Sequence, residues 1–234
     1  MPLDRETVET LSSISTATIT TILLKKGLRN VWVRGAHPLF PIGSRIVGQA
    51  FTLRFVPARE DLATPASWAS PRSTRAAVEE MPEGCIVVAD AMAVNNAGIF
   101  GDILCARMKK RKVAALLTDG VVRDRAGVMA VGLPVWCQGV AAPPSVAGLT
   151  FVNWQEPIGC GGIAVYPNDV MVLDEDGATL IPSALVGDVL QSGPEQERLE
   201  AWIMQEVGRG VSLPGLYPPD EAARQRFELT KRKS

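Results

Sequence analysis

Histidine is almost missing from this chain: His37 is the only one in 234 residues, accompanied by two tyrosines and four cysteines. Zinc sites built from several imidazoles, the HExxH helix and His-rich di-iron bundles are therefore excluded. Any Ser-His-Asp or Cys-His arrangement would have to use His37. Cys85, Cys105, Cys137 and Cys160 form no CxxC pair. That removes zinc ribbons and thioredoxin-like redox sites, and isolated buried thiols in a reducing compartment are expected instead. No run of about 18 or more apolar residues occurs, and the start Met1-Pro-Leu-Asp-Arg-Glu has no apolar leader, so the expectation is a cytoplasmic protein with no membrane contact. Basic excess is lacking too, with Lys+Arg 24 against Asp+Glu 25. Nucleic acid is not an expected partner, and Lys109-Lys110-Arg111-Lys112 reads as a solvated helix end.

What is present is a globular composition, 47% hydrophobic and 21% charged, of a size that one α/β domain accommodates. A helix is expected from a cap at Asp4 along an apolar stripe through Val8, Leu11, Ile19, Ile22 and Leu23 to a stop at Gly27. Val47–Phe55 alternates as a strand. Pro57–Arg75 is rich in Pro, Ala and Ser and reads as a long surface excursion of the kind that forms lids or binding loops. Cys85-Ile-Val-Val-Ala, a helix over Gly101–Lys112, Val113-Ala-Ala-Leu-Leu, a short helical piece and Leu133-Pro-Val-Trp then alternate as crossover units on a mainly parallel sheet. Strands are expected at 151–154, 163–166, 170–173 and 178–181, followed by an amphipathic helix from about Pro194 to Val207. The tail from Gly208 is expected to be extended.

Chemistry concentrates after the strand at 113–117, in Thr118-Asp-Gly-Val-Val-Arg-Asp, because ligands bind beyond the carboxyl ends of parallel strands. If Asp124 holds a divalent cation, Arg123 can fork onto a carboxylate beside it; the competing reading is an Asp-Gly turn and an ordinary helix start. Gly101-Asp102 opens a second helix, where the amides of Ile103 and Leu104 can take an anionic oxygen and Asp102 can equally serve the helix dipole or cap. Gly159-Cys-Gly-Gly lacks the spacings of a phosphate loop.

Gly101-Asp-Ile-Leu-Cys-Ala, Val113-Ala-Ala-Leu-Leu-Thr-Asp-Gly-Val-Val-Arg-Asp and Gly132-Leu-Pro-Val-Trp, with Pro41–Arg54 and Tyr166–Ala178, resemble the signature of the RraA-like family over about Ser15 to Pro182. That family contains the 4-hydroxy-4-methyl-2-oxoglutarate/4-carboxy-4-hydroxy-2-oxoadipate aldolases and the regulator of ribonuclease activity A. The resemblance implies a layered, swivelling α/β/β domain and a homotrimer or homohexamer; the chain itself sets that domain at 1–208 with a C-terminal helix, and leaves a Pro-rich tail over 209–234, without a counterpart in the aldolases, expected to lie on the body or a neighbouring subunit. It implies Mg²⁺ or Mn²⁺ anchored by Asp124, a 2-oxo acid held by Arg123, Asp102 supporting metal-bound water, and the substrate carboxylate received by Gly101, Ile103 and Leu104. Metal-assisted retro-aldol cleavage to pyruvate follows, with oxaloacetate decarboxylation through the same enolate. The alternatives are a non-catalytic regulator, or a metal-dependent hydrolase or decarboxylase of another oxo acid. In the aldolases a neighbouring subunit lends an acid; Glu195, Glu197 and Glu200 are the candidates here. Lys25, Lys26, Lys109, Lys110 and Lys112 lie in charged clusters and Lys231 and Lys233 in the tail, a poor setting for a Schiff-base lysine.

Overall fold

The structure, a computed structural model, describes residues 3–231. Two helices open the chain, α1 (Arg5–Ser12) and α2 (Thr16–Lys25), where the apolar stripe predicted one. The break is caused by capping. Ser15 accepts a hydrogen bond from the Thr18 amide, Glu197 takes the Ser15 amide at 2.8 Å, and buried Asp174 takes the Thr16 amide at 2.9 Å and its hydroxyl at 2.7 Å. With its first-turn donors satisfied by side chains, a new helix starts at Thr16.

After β1 (His37–Pro38) comes β2 (Ile46–Pro57), a strand of 12 residues. The excursion that follows is partly ordered by a 3₁₀ turn at Pro65–Ala69. It ends in a helix that the sequence pattern did not announce, α3 (Thr74–Glu80), capped by the Ser73 side chain. Then β3 (Ile86–Asp90), α4 (Asp102–Lys110), β4 (Ala115–Thr118), α5 (Arg125–Val131) and β5 (Val135–Cys137) complete the expected crossovers. β2, β3, β4 and β5 are parallel neighbours in that order.

The C-terminal half adds β6 (Leu149–Trp154), the hairpin β7 (Ile158–Cys160) and β8 (Ile163–Val165), and the pair β9 (Val170–Asp174) and β10 (Gly177–Ile181). Long β2 links the two halves. Its first residues, Ile46–Gln49, pair antiparallel with β9, whereas Ala50–Arg54 pair with β3 and Leu53–Pro57 with β6. The strand order β1-β5-β4-β3-β2-β9-β10 brings β1 and β10 together and makes the sheet nearly closed.

Period-two alternation sorts the strand residues between two cores. Phe51, Leu53, Val87, Ala89, Leu116 and Val135 face a core shared with α3, α4 and α5. Ala50, Ile86, Val88, Ala115, Leu117 and Trp136 face a second core shared with β7 to β10. Burial on both faces explains why these strands read as unbroken apolar runs. A third core seats α1, α2 and the final long helix on β9 and β10.

That long helix, α6 (Val186–Gly208), starts before Pro194 and runs through it. An internal proline removes one helical hydrogen bond and costs about 3 kcal/mol; burial of Val189, Leu199, Trp202 and Ile203 offsets this. Gly193, where a side chain would collide with Ile14, sets the close approach to the N-terminal helices. The expected extended tail is also corrected. Residues 221–231 form α7 (Glu221–Lys231), and Leu216, Ala223 and Phe227 bury against Leu199, Trp202 and Ile203. The lack of any long apolar run hid this small core. Among the described residues no helix is long and apolar enough to cross a membrane.

Candidate active site

Beyond the carboxyl end of β4 the chain runs out through Asp119, Gly120, Val121 and Val122 to Arg123. The segment Gly98–Gly101 lies beside it: Ile99 donates to Val121 O at 3.0 Å and Arg123 donates to Phe100 O at 2.9 Å. This pairing puts Arg123 against the start of α4. Two glycines permit it. A side chain at Gly98 would meet Arg123 Cβ at 2.7 Å, and one at Gly101 would strike the Asp124 carboxylate.

Asp124 occupies the left-handed region at φ 55° and ψ 43°, a conformation that aspartate tolerates better than most residues. It stands at the N-cap of α5 without making a capping bond, so its carboxylate faces the cleft rather than the helix. Arg123 Nε donates to Asp124 Oδ2 at 3.1 Å, and Oδ1 has no hydrogen-bond partner among the described residues. Asp102, in the first turn of α4, accepts the Ile103 amide on Oδ1 at 2.7 Å. That contact engages the Ile103 amide, while the Leu104 amide has no intrahelical acceptor at its position. The Ile103 side chain is 80% exposed at the rim.

All six predicted site residues, Gly101, Asp102, Ile103, Leu104, Arg123 and Asp124, line one cleft of about 330 Å³. Larger clefts of about 440 and 360 Å³ lie elsewhere among the described residues, and neither of these joins an arginine to two carboxylates. Trp68, Thr74, Arg75, Pro144 and Ser145 complete the wall. Sequence reading missed these residues individually; the Pro57–Arg75 excursion, read as a binding loop, was the available signal for the first three.

The other acids of the motif region have structural tasks. Asp119 is buried, which pushes its carboxyl above the usual range, and it accepts the Ala91 and Gly161 amides at 2.8 and 3.0 Å. Gly159-Cys-Gly-Gly forms the end of β7 and its turn, with Gly161 and Gly162 at positive φ. His37 is exposed on β1, and neither it nor any lysine lines the cleft. Glu195, Glu197 and Glu200 lie on α6 and face local partners: Arg198 at 2.7 Å, the Ser15 amide, and Gln196 at 2.7 Å.

Among the described residues no group of three or more His, Cys, Asp or Glu could hold a metal. Asp124 and Asp102 nevertheless fit a hard cation of the Mg²⁺ kind. Such an ion takes one or two carboxylates and leaves its other positions to water and substrate, so it needs no protein cage.

The fold and the cleft together define an α/β protein with a carboxylate and arginine site at a strand end. The RraA-like profile, Aldolase/RraA, matches residues 16–180, well over half of the chain, and the chain belongs to that family. It is 32% identical over 122 residues to a Halalkalibacterium halodurans protein named "Putative 4-hydroxy-4-methyl-2-oxoglutarate aldolase". That match takes in 52% of this chain and only 57% of the relative. Among solved structures, Streptomyces coelicolor RraAS2, described as an unusual member of the RNase ES inhibitor RraA protein family, superposes with a TM-score of 0.77 at 30% identity. The superposition covers 86% of this chain and 97% of that one. A Pseudomonas syringae protein of the same fold also gives 0.77, at 22% identity over 93% of this chain and 99% of its own.

Proposed function

We propose that the chain is a divalent-metal-dependent carbon–carbon lyase. It cleaves a 4-hydroxy-2-oxo acid of the 4-hydroxy-4-methyl-2-oxoglutarate type to pyruvate, decarboxylates oxaloacetate at the same site, and works in the cytoplasm as a homotrimer or homohexamer. The observation that carries this reading is the meeting of Arg123, Asp124 and Asp102 in one cleft of about 330 Å³, a volume at the small end of ligand sites and suited to a short acid.

Asp124, with Asp102 as a second oxygen donor, would hold Mg²⁺ or Mn²⁺, which when bound supplies a Lewis acid that polarises the 2-oxo group. Arg123 binds the carboxylate end of the substrate and stands ready for the negative charge that gathers there. The C4 hydroxyl gives its proton to water in the open cleft and becomes the carbonyl of the departing fragment, the C3–C4 bond breaks with its electron pair passing to the pyruvate enolate, and a proton returned from water to C3 completes pyruvate. The guanidinium, fixed by Asp124, stabilises that charge without reorganising, an effect worth roughly 3–4 kcal/mol for one well-placed donor. The Leu104 amide orients the carboxylate. With no lysine lining the cleft, no side chain there can form a Schiff base.

The test is a coupled pyruvate assay on 4-hydroxy-4-methyl-2-oxoglutarate and oxaloacetate with Mg²⁺. Activity is expected with the metal, to disappear in chelator, to fall roughly 100- to 1,000-fold in Arg123→Ala and Asp124→Ala, and to stay near the original level in His37→Ala. Undiminished turnover in excess EDTA overturns the reading. The likeness to RraAS2 favours one other: a non-catalytic regulator, which co-purification with an RNase E-type nuclease and absence of turnover would establish instead.

A further inference from the structure

Two buried acids behind the cleft pair with no lysine or arginine among the described residues. Asp90 ends β3 and Asp119 follows β4, 9% and 3% exposed. Ala89 pairs with Thr118 in the register of the two strands, so the acids that follow them stand side by side. A buried carboxylate is costly unless it is hydrogen-bonded, and here backbone amides supply the bonds. Asp119 accepts the Ala91 and Gly161 amides at 2.8 and 3.0 Å, and Asp90 accepts the Met92 and Gly159 amides at 3.0 and 3.4 Å. Burial and, less strongly, Asp90 raise the Asp119 carboxyl, while the amides of Gly161, Ala91 and Ala93 draw it down. The gripped residues are themselves unusual. Met92 and Ala93 both stand in the left-handed region, at φ 52° and 56°, a conformation disfavoured for residues that carry a Cβ.

These residues open the loop that becomes one wall of the cleft. A side chain at Gly120 would meet Ala91 Cβ at 2.6 Å, and one at Gly148 would meet Ala97 and Val94 at 3.1 and 3.3 Å. Gly98 then donates to Pro143 O at 2.9 Å, Ile99 to Val121 O at 3.0 Å, and Gly101 leads into α4. We propose that Asp119, backed by Asp90, is a positioning residue. It holds 91–93 in their left-handed turn and so fixes the Gly98–Gly101 wall against Arg123 and Asp124. The effect on turnover rests on the lyase reading of the cleft. Once released, Met92 and Ala93 relax toward ordinary backbone angles and the wall shifts relative to the guanidinium. Misplacement by about 1 Å costs on the order of 100-fold in rate.

Hydrogen exchange read by mass spectrometry on the full chain tests this, together with steady-state kinetics in Mg²⁺. Asp119→Asn keeps the shape of the side chain but turns an NH₂ group toward one of the two amides it should accept. Exchange over 91–101 is expected to quicken by about 10-fold or more, with β9, β10 and α6 unchanged. In the pyruvate assay kcat should fall about 10- to 100-fold while KM stays within about threefold. Asp90→Ala, which frees the exposed Met92 amide, should act in the same direction and more weakly, and serves for the same comparison if Asp119→Asn does not fold. Exchange unchanged over 91–101, exchange quickened alike throughout the chain, or an unchanged kcat overturns the proposal. The lyase reading fails separately. If the original protein releases pyruvate from no 4-hydroxy-2-oxo acid, that reading falls, and exchange alone decides the clamp: local quickening sustains it, and uniform or absent quickening removes it.

Discussion

Gly127 lies directly against the side chain of Asp102. A Cβ built at position 127 would meet Asp102 Oδ2 at 2.6 Å and its Cβ at 2.7 Å. The first turn of one helix thereby walls in the carboxylate that opens another, and α4 and α5 pack at the distance this glycine sets.

Gly127→Ala is expected to move Asp102 or separate the two helices. Overpacking of this kind costs roughly 1–3 kcal/mol. The measurable outcome is a fall in lyase kcat/KM of about 10-fold or more beside a modest drop in melting temperature. A variant with full activity would show that Asp102 has no fixed part in the site.

Glu197 ties α6 to the start of α2. Burial raises its carboxyl, but the Ser15 amide and the Thr18 and Ser15 hydroxyls outweigh that and bring it below its usual 4.5. Because the folded value lies below the unfolded one, the contribution is fully present above about pH 4.5 and is lost as pH falls through the depressed folded value. Thermal melts should show the original protein losing stability more steeply than Glu197→Gln below pH 4.5. At neutral pH the variant should be less stable by about 0.5–1 kcal/mol, allowing for solvent screening at this half-exposed site.

All four cysteines are buried, and burial pushes the thiols of Cys85 and Cys105 up to about 12. Thiolate is the reactive form. Ellman's reagent at pH 8 should therefore label the folded protein at far less than one thiol per chain within minutes, and the four thiols together in urea. Rapid labelling of the native protein would mean that one of these cores opens readily.

The crossover segment was legible because its strands are buried on both faces and its helices are short and bounded by glycines at Gly101 and Gly132: 85–89, 101–112, 113–117 and 133–136 all fall on or beside the observed elements. Elements fixed by tertiary contacts were not. The restart of helix at Thr16 depends on Asp174 and Glu197, far away in sequence, α3 was hidden in a Pro- and Ser-rich stretch, and Pro194 concealed the true start of α6.

By itself the sequence determined the chemistry on offer. With one histidine and no CxxC pair, it left carboxylates and arginines as the leading candidates, and its glycine-punctuated motif pointed to Arg123, Asp124 and Asp102. Only the tertiary structure decided how these groups stand. The left-handed backbone at Asp124 turns that carboxylate away from capping, the Ile103 amide is consumed by Asp102, and Trp68 and Arg75 arrive from an excursion whose composition has no periodicity to read. Short-range propensity can specify a helix or a strand, but which side chains share a cleft is set by how those elements close over a common core, and that depends on contacts between residues far apart in the chain.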